Sequence, residues 1–70
     1  PFTVALLKAA QMAKTNGDAL RLIRSGNVFV NDVQITNEKQ FHRYEDLLAG
    51  LNAYKVKSSR KSVALVKIID

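Results

Sequence analysis

The sequence predicts an α+β domain in which two N-terminal helices pack on a small antiparallel β-sheet, with a short helical turn before the last hairpin. Three observations lead to this prediction. Apolar residues recur at helical spacing up to Ile23, two short β-branched runs flank Asn31-Asp32, and residues 54–57 alternate strictly between apolar and basic positions. A chain of 70 residues, 47% of them hydrophobic, is enough for one domain with a core, which we assign to residues 1–70.

The first helix is predicted over residues 4–13, because no helix-breaking residue interrupts the apolar spacing there. Thr3 can cap the free N–H groups of the first turn, and Phe2 before it is positioned to pack on Leu7. The polar residues fall on the opposite side of the helix: Lys8, Gln11 and Lys14. We expect this helix to be scaffold.

The second helix is predicted to begin after Thr15, an N-cap followed by Asp18 in the manner of a capping box. Asp18 also suits the positive end of the helix dipole. Gly26 ends the helix, because glycine adopts a positive φ at low cost. The side chains divide into a buried stripe of Ala19, Leu22 and Ile23 and an outer side of Arg21, Arg24 and Ser25.

Two short strands, residues 28–30 and 33–35, are predicted to form a hairpin around Asn31-Asp32. Asn and Asp both tolerate the left-handed region that a type I′ turn requires. Residues 36–42 then form a polar loop, with Phe41 as its anchor.

The remaining segment is predicted to form a helical turn over residues 44–48, ended by Gly50, and a second hairpin. Its first strand covers residues 54–57, a basic loop covers residues 58–62, and a longer, well-buried strand covers residues 63–69. In the first strand the alternation assigns Tyr54 and Val56 to one face and Lys55 and Lys57 to the other.

Composition narrows the classes of partner. Eleven Lys and Arg against six Asp and Glu give a net charge of +5, which favours polyphosphate partners such as RNA, although solubility alone is an alternative. The longest apolar stretches are far shorter than the roughly 20 residues of a membrane span. Because the chain begins at Pro1 rather than Met, we expect an excised domain or a processed product.

No pattern of catalytic or metal-ligating residues emerges from the chain. It contains no cysteine, and His42 stands without a carboxylate cluster at ligand spacing, so we expect it to be structural or solvated. Glu45 and Asp46 are adjacent and diverge on a helical turn, which does not suit general acid–base catalysis. We expect no catalytic site, no metal and no cofactor in this chain.

The basic residues fall into two groups. One group, on or just before the second helix, consists of Lys14, Arg21 and Arg24. The other, on the terminal hairpin, consists of Lys55, Lys57, Arg60 and Lys61, to which Lys67 can be added. If helix and hairpin pack side by side, the two groups make one positive surface for RNA. The alternative is that these are ordinary solvated positions, with Asp18 and Arg21 as a plain i,i+3 pair.

The stretch T-N-G-D-A-L-R-L-I-R-S-G-N-V-F-V-N-D-V-Q-I resembles the signature of the alpha-L RNA-binding domain, named after small-subunit ribosomal protein S-four. That signature has the form Ser-Arg-x-x-Ala-Arg-x-Leu-Ile-x-x-Gly-x-Val-x-Val-Asn-Gly. The positions that match in register are Ala19, Leu22, Ile23, Gly26, Val28, Val30 and Asn31. The flanking segments, L-L-K-A-A-Q-M-A-K-T and Y-E-D-L-L-A-G-L-N-A-Y-K-V-K-S-S-R-K-S-V-A-L-V-K, resemble the same region of bacterial-type tyrosyl-tRNA synthetases.

The chain also departs from the pattern of that family. Asn16 and Leu20 stand where the family has arginines, so two expected phosphate contacts are missing. Asp32 replaces the turn glycine, and Gln11 replaces a common glycine of the first helix. The basic residues expected to compensate are Lys14, Arg21 and Arg24. Such drift fits a divergent organellar enzyme.

The resemblance implies the C-terminal domain of a tyrosyl-tRNA synthetase, which binds tRNA for tyrosine and positions it for a catalytic domain outside this chain. It also implies a homodimeric parent enzyme in an intracellular compartment, either the mitochondrial matrix or the cytoplasm. Three alternatives remain open: binding of ribosomal RNA, binding of structured intron RNA, and a protein-docking module whose charge serves solubility.

Overall fold

The computed structural model describes residues 1–48, 50–59 and 62–67. Its elements in chain order are the helices α1 (Thr3–Ala9) and α2 (Asn16–Arg24), the strands β1 (Phe29–Val30) and β2 (Val33–Gln34), a 3₁₀ turn (Tyr44–Asp46), and the strands β3 (Ala53–Lys57) and β4 (Val63–Lys67). The strands form a four-stranded antiparallel sheet in the order β2-β1-β3-β4. The α+β class, with two N-terminal helices and a small antiparallel sheet, is therefore confirmed.

The two helices pack on one face of the sheet, because the buried side chains of both layers form a shared core. The helices contribute Leu6, Leu7, Ala19 and Ile23, and the sheet contributes Val30, Tyr54 and Val56. Val28 and Ile35, next to the first hairpin, are also fully enclosed. Burial of these apolar groups is the main force that holds such a small domain together.

Helix α1 ends at Ala9, short of the predicted Ala13, so the predicted length is wrong. Gln11 adopts a φ of 61°, and its N–H donates to the carbonyl of Lys8. The N–H of Met12 donates to the carbonyl of Leu7, which completes the two hydrogen bonds of a Schellman motif. A glycine normally occupies the left-handed position of this motif. Because Gln11 stands there instead, the sequence pattern did not indicate that the helix ends at this point.

The predicted N-cap of α1 is also wrong. The cap position belongs to Phe2, whose side chain makes no capping hydrogen bond, and Thr3 lies inside the helix with its side chain buried. The Phe2 ring is exposed and meets the ring of Phe41 edge to face, with 5.1 Å between the ring centroids.

The anchor of the loop after β2 is His42 rather than the predicted Phe41. Phe41 is 58% exposed, whereas His42 is 5% exposed and forms a hydrogen bond with the Thr3 hydroxyl. The N–H of His42 also donates to the carbonyl of Pro1. Burial with a hydrogen-bond partner agrees with the prediction that this histidine is structural.

Helix α2 and the first hairpin follow the prediction closely. The Thr15 hydroxyl accepts a hydrogen bond from the N–H of Asp18 at 3.1 Å, and Gly26 ends the helix at a φ of 80°. Asn31 and Asp32 have φ values of 51° and 69°, as a type I′ turn requires. Their dihedral angles set the register, in which Val30 lies opposite Val33.

The segment between the hairpins forms a shorter helical turn than predicted, Tyr44–Asp46. A carboxylate oxygen of Asp46 accepts a hydrogen bond from the N–H of Arg43 at the start of this turn. Leu47 packs against the core, and Gly50 reverses the chain at a φ of 78°.

The prediction of a well-buried last strand is wrong. Strand β4 lies at an edge of the sheet, and Val63 and Leu65 are 54% and 50% exposed. The alternating faces of β3 are confirmed, with Tyr54 and Val56 buried. The predicted extension of β4 to Ile69, and Arg60 and Lys61 in the loop before it, lie outside the described residues.

Candidate nucleic-acid interface

The first basic group lies on the helix layer. Arg21 and Arg24 project from α2 with exposed side chains, and Lys14 is exposed just before that helix. An open groove of about 450 Å³ runs between α2 and the segment that joins it to α1. It is lined by Gln11, Met12, Ala13, Lys14, Asp18, Arg21 and Leu22. The Schellman turn at Gln11 creates this groove, because it diverts the chain away from the axis of α1.

Lys8 belongs to the same surface, although the sequence pattern did not assign it to the site. It lines a depression shared with Gln11, Ala13 and Lys14, and its ammonium group donates to the side-chain oxygen of Asn16. The sequence pattern already placed Lys8 and Lys14 on the same polar side of the first helix, but that helix was expected to be scaffold. Lys8 was therefore missed, although its side chain lines this depression together with Lys14.

Arg21 pairs with Asp18 one turn earlier on α2, as the alternative interpretation expected. The hydrogen bond from Arg21 lowers the pKa of Asp18, and the charge of Arg21 and the Thr15 hydroxyl act in the same direction. Because the guanidinium group is largely exposed, this contact does not prevent it from meeting another anion.

Arg24 pairs with Glu38 in the loop after β2, a partner that the sequence pattern did not suggest. The guanidinium group donates to both carboxylate oxygens, from Nε to Oε1 and from Nη2 to Oε2. This hydrogen bonding lowers the pKa of Glu38 and raises that of Arg24. The two-pronged contact is the geometry with which arginine meets carboxylates and phosphates.

The described members of the second basic group, Lys55, Lys57 and Lys67, lie on the open face of the sheet. The Lys55 ammonium group lies 2.7 Å from a carboxylate oxygen of Asp32 in the hairpin turn. Lys57 reaches over the ring of Phe29, with 5.7 Å from its nitrogen to the ring centroid. Lys67 is exposed on β4, opposite Ala53.

The sheet lies between the first basic group and the described lysines of the second. Tyr54 and Val56 point into the core beneath the helices, so Lys55 and Lys57 between them point to the opposite face. Lys14, Arg21 and Arg24 lie on the helix layer. The predicted arrangement of helix and hairpin side by side is therefore not found in the described residues. Lys14, Arg21 and Arg24 lie on one side of the sheet, and Lys55 and Lys57 lie on the other.

Comparison with known proteins gives no family assignment. No model of a known protein family matches the chain, and a search of curated proteins finds no significant match.

Within residues 1–48, 50–59 and 62–67, no group of three or more His, Cys, Asp or Glu side chains is arranged to hold a metal ion. The helices of the same residues are too short and too polar to cross a bilayer.

Proposed function

We propose that this chain is an RNA-binding domain that binds tRNA, most specifically tRNA for tyrosine, for a tyrosyl-tRNA synthetase of the mitochondrion or the cytoplasm. The observation that carries the proposal is the basic cluster on the helix layer. There Lys14 and Arg21 line an open groove, and Lys8 lines a depression that also contains Lys14. Arg24 extends the charge along α2. A polyanion with regularly spaced phosphates suits this surface better than a small acidic ligand does.

The resemblance to the alpha-L signature also supports the proposal, because several of the matching positions are either buried or have a positive φ. Ala19, Ile23 and Val28 are buried, and Gly26 and Asn31 both have a positive φ. These are the positions at which the residue type is restricted by packing or by backbone conformation. They fix the angle between α2 and the hairpin, and with it the direction in which Arg21 and Arg24 project.

In the proposed mechanism, Arg21 and Arg24 exchange their carboxylate partners for phosphate oxygens. Both ion pairs lie at the surface, where water screens them, so the exchange costs little. The planar guanidinium group meets two phosphate oxygens at once, and Lys8 and Lys14 add charge beside it. Recognition follows the shape of the RNA backbone, because side chains cannot reach the bases in the deep groove of A-form RNA.

Binding of tRNA for tyrosine at several salt concentrations tests this proposal. Affinity should fall steeply with salt, and the double variant Arg21→Ala/Arg24→Ala should lower the slope of log K against log salt by roughly 1 to 2. The single variants Arg21→Ala and Arg24→Ala are compared with Lys39→Ala as the control, because Lys39 is exposed and does not belong to the basic cluster.

The phosphate-contact mechanism is wrong if the salt response is flat or if the arginine variants bind as the Lys39→Ala control does. A ribosomal RNA fragment and a structured intron RNA, measured in parallel, decide the choice of RNA. Tighter binding of either one than of the tRNA would replace the tRNA proposal.

A further inference from the structure

The open face of the sheet carries an unusual mixture of apolar and basic side chains. In the register of the sheet, Phe29 of β1 lies opposite Lys57 of β3, and Lys57 lies opposite Val63 of β4. One row further along, Lys55 lies opposite Leu65. Paired residues of antiparallel strands point to the same face, so these side chains form one surface. We call these five residues the sheet-face cluster.

This cluster is not part of the core. The helices cover the other face of the sheet, and Val63 and Leu65 remain about half exposed. Within the part of the chain that the structure describes, no segment packs over them. Exposed apolar side chains that adjoin one another on a small domain indicate a binding surface.

The charges on this face select the class of partner. Lys55 and Lys57 belong to the cluster, Lys67 lies on the same face beyond Leu65, and Asp32 is the acidic neighbour, at the hairpin turn. Protein interfaces are depleted in lysine, which argues against a protein partner. Single-stranded RNA has the complementary chemistry, because it combines flat apolar bases with a phosphate at every step.

We propose that the sheet-face cluster binds an unpaired segment of RNA, and that this binding is independent of the binding of structured RNA by the helix layer. The proposal rests on the proposed function, since it extends RNA binding to a second face. A base stacks on the Phe29 ring in place of the Lys57 ammonium group, which turns to a phosphate. Val63 and Leu65 support the neighbouring base or ribose, and Lys55 leaves Asp32 for the next phosphate.

A single-stranded probe of about eight uridines with one internal 2-aminopurine tests this inference on the 70-residue chain. Stacking on Phe29 should quench the fluorescence of the modified base. Phe29→Leu keeps an apolar side chain but removes the aromatic ring, so it should weaken binding of the probe by about fivefold or more and abolish the quenching. The affinity for structured tRNA should change by less than roughly twofold in the same variant.

Leu65→Glu provides a second variant that is expected to fold. Leu65 is exposed and lies opposite Lys55, so a glutamate there forms a cross-strand ion pair while repelling phosphates. Binding of the probe should fall by about tenfold. Ala5→Glu makes the same change of charge at an exposed position of α1, and it should leave binding of the probe close to that of the parent chain.

The possible outcomes separate this inference from the proposed function. If structured tRNA binds and the probe does not, or if Arg21→Ala/Arg24→Ala weakens both equally, the inference is wrong and the proposed function stands. If the probe binds with the predicted losses and no structured RNA binds, the inference stands and the tRNA proposal fails. If sedimentation detects a dimer that Leu65→Glu abolishes, the face is a self-association surface and the inference is wrong.

Discussion

The Thr3 hydroxyl and Nε2 of His42 lie 2.6 Å apart in the interior, where their hydrogen bond joins the first turn of α1 to the loop that follows β2. The His42 ring also lies 5.8 Å from the ring of Tyr54, between centroids. The Tyr54 hydroxyl donates in turn to the carbonyl of Arg43. Polar contacts at the centre of the core thus hold a loop that has little regular structure of its own.

Thr3→Val should destabilise the protein by about 1–3 kcal/mol, because it leaves Nε2 of His42 buried without its partner. Urea unfolding followed by circular dichroism measures this change. Thr36→Val, at an exposed position, is the matched control and should be nearly neutral. The double variant Thr3→Val/His42→Phe should lose less than the sum of the single variants. Strict additivity would contradict the importance of the hydrogen bond.

Stability should fall in mildly acidic solution. Burial lowers the pKa of His42, the positive charge of the amino terminus acts in the same direction, and Asp46 opposes them. The unfolded chain therefore takes up a proton at a higher pH than the folded protein does. The contribution of His42 to the free energy of unfolding should not change with pH well above a pH of about 6.5. It should decrease as the pH falls below that value.

Urea midpoints between a pH of about 7.5 and about 5.5 measure this decrease, and the acidic side chains remain ionised in that window. His42→Gln cannot take up the proton, so its midpoint should vary less over the same range. An NMR titration of His42 with a midpoint above about 6.5 would contradict the prediction.

Gln11→Gly should stabilise the protein by about 1 kcal/mol, because glycine accepts the positive φ of the Schellman motif without the strain that a side chain causes. Thermal unfolding provides the measurement. Ala10→Gly is the control, since Ala10 has a φ of −76° and the same substitution there should destabilise by roughly 0.5–1 kcal/mol. Equal effects at both positions would show that the turn carries no strain.

Asn31→Ala should destabilise the hairpin by about 2–3 kcal/mol, from the loss of two hydrogen bonds and from strain at a φ of 51°. The side-chain amide of Asn31 donates to the carbonyl of Asp46, and its oxygen accepts from the N–H of Lys55. Asn27→Ala, at an exposed position, is the control for urea unfolding. A loss similar to that of the control would mean that these contacts contribute little.

Glu38→Gln should raise the affinity for tRNA by roughly two- to fivefold, since it removes a negative charge from the helix layer and frees Arg24 for a phosphate. Fluorescence anisotropy with labelled tRNA at low salt measures the change. Glu45→Gln removes an equal charge from the 3₁₀ turn and should have a smaller effect. If both variants gain the same amount, the benefit comes from net charge and not from Arg24.

Several features were predictable from local sequence, because each depends on one residue type at one backbone position. Gly26 ends α2, Thr15 caps it, and Asn31 with Asp32 forms the turn between β1 and β2. Helix α1 shows where such signals fail. Its end depends on a left-handed Gln11, a residue that carries no turn signal, and Thr3 is drawn into the core by a partner on a distant loop.

The sequence by itself determined the α+β class, the first hairpin and the identity of the basic residues, since these follow from periodicity, turn chemistry and composition. Only the tertiary structure decided where the charges lie. Lys8 shares a depression with Lys14 near the end of α1, and the loop after β2 supplies Glu38 to Arg24. The sheet lies between these residues and Lys55. Such contacts join residues far apart in the chain, and their geometry comes from packing around the core, which local patterns do not encode.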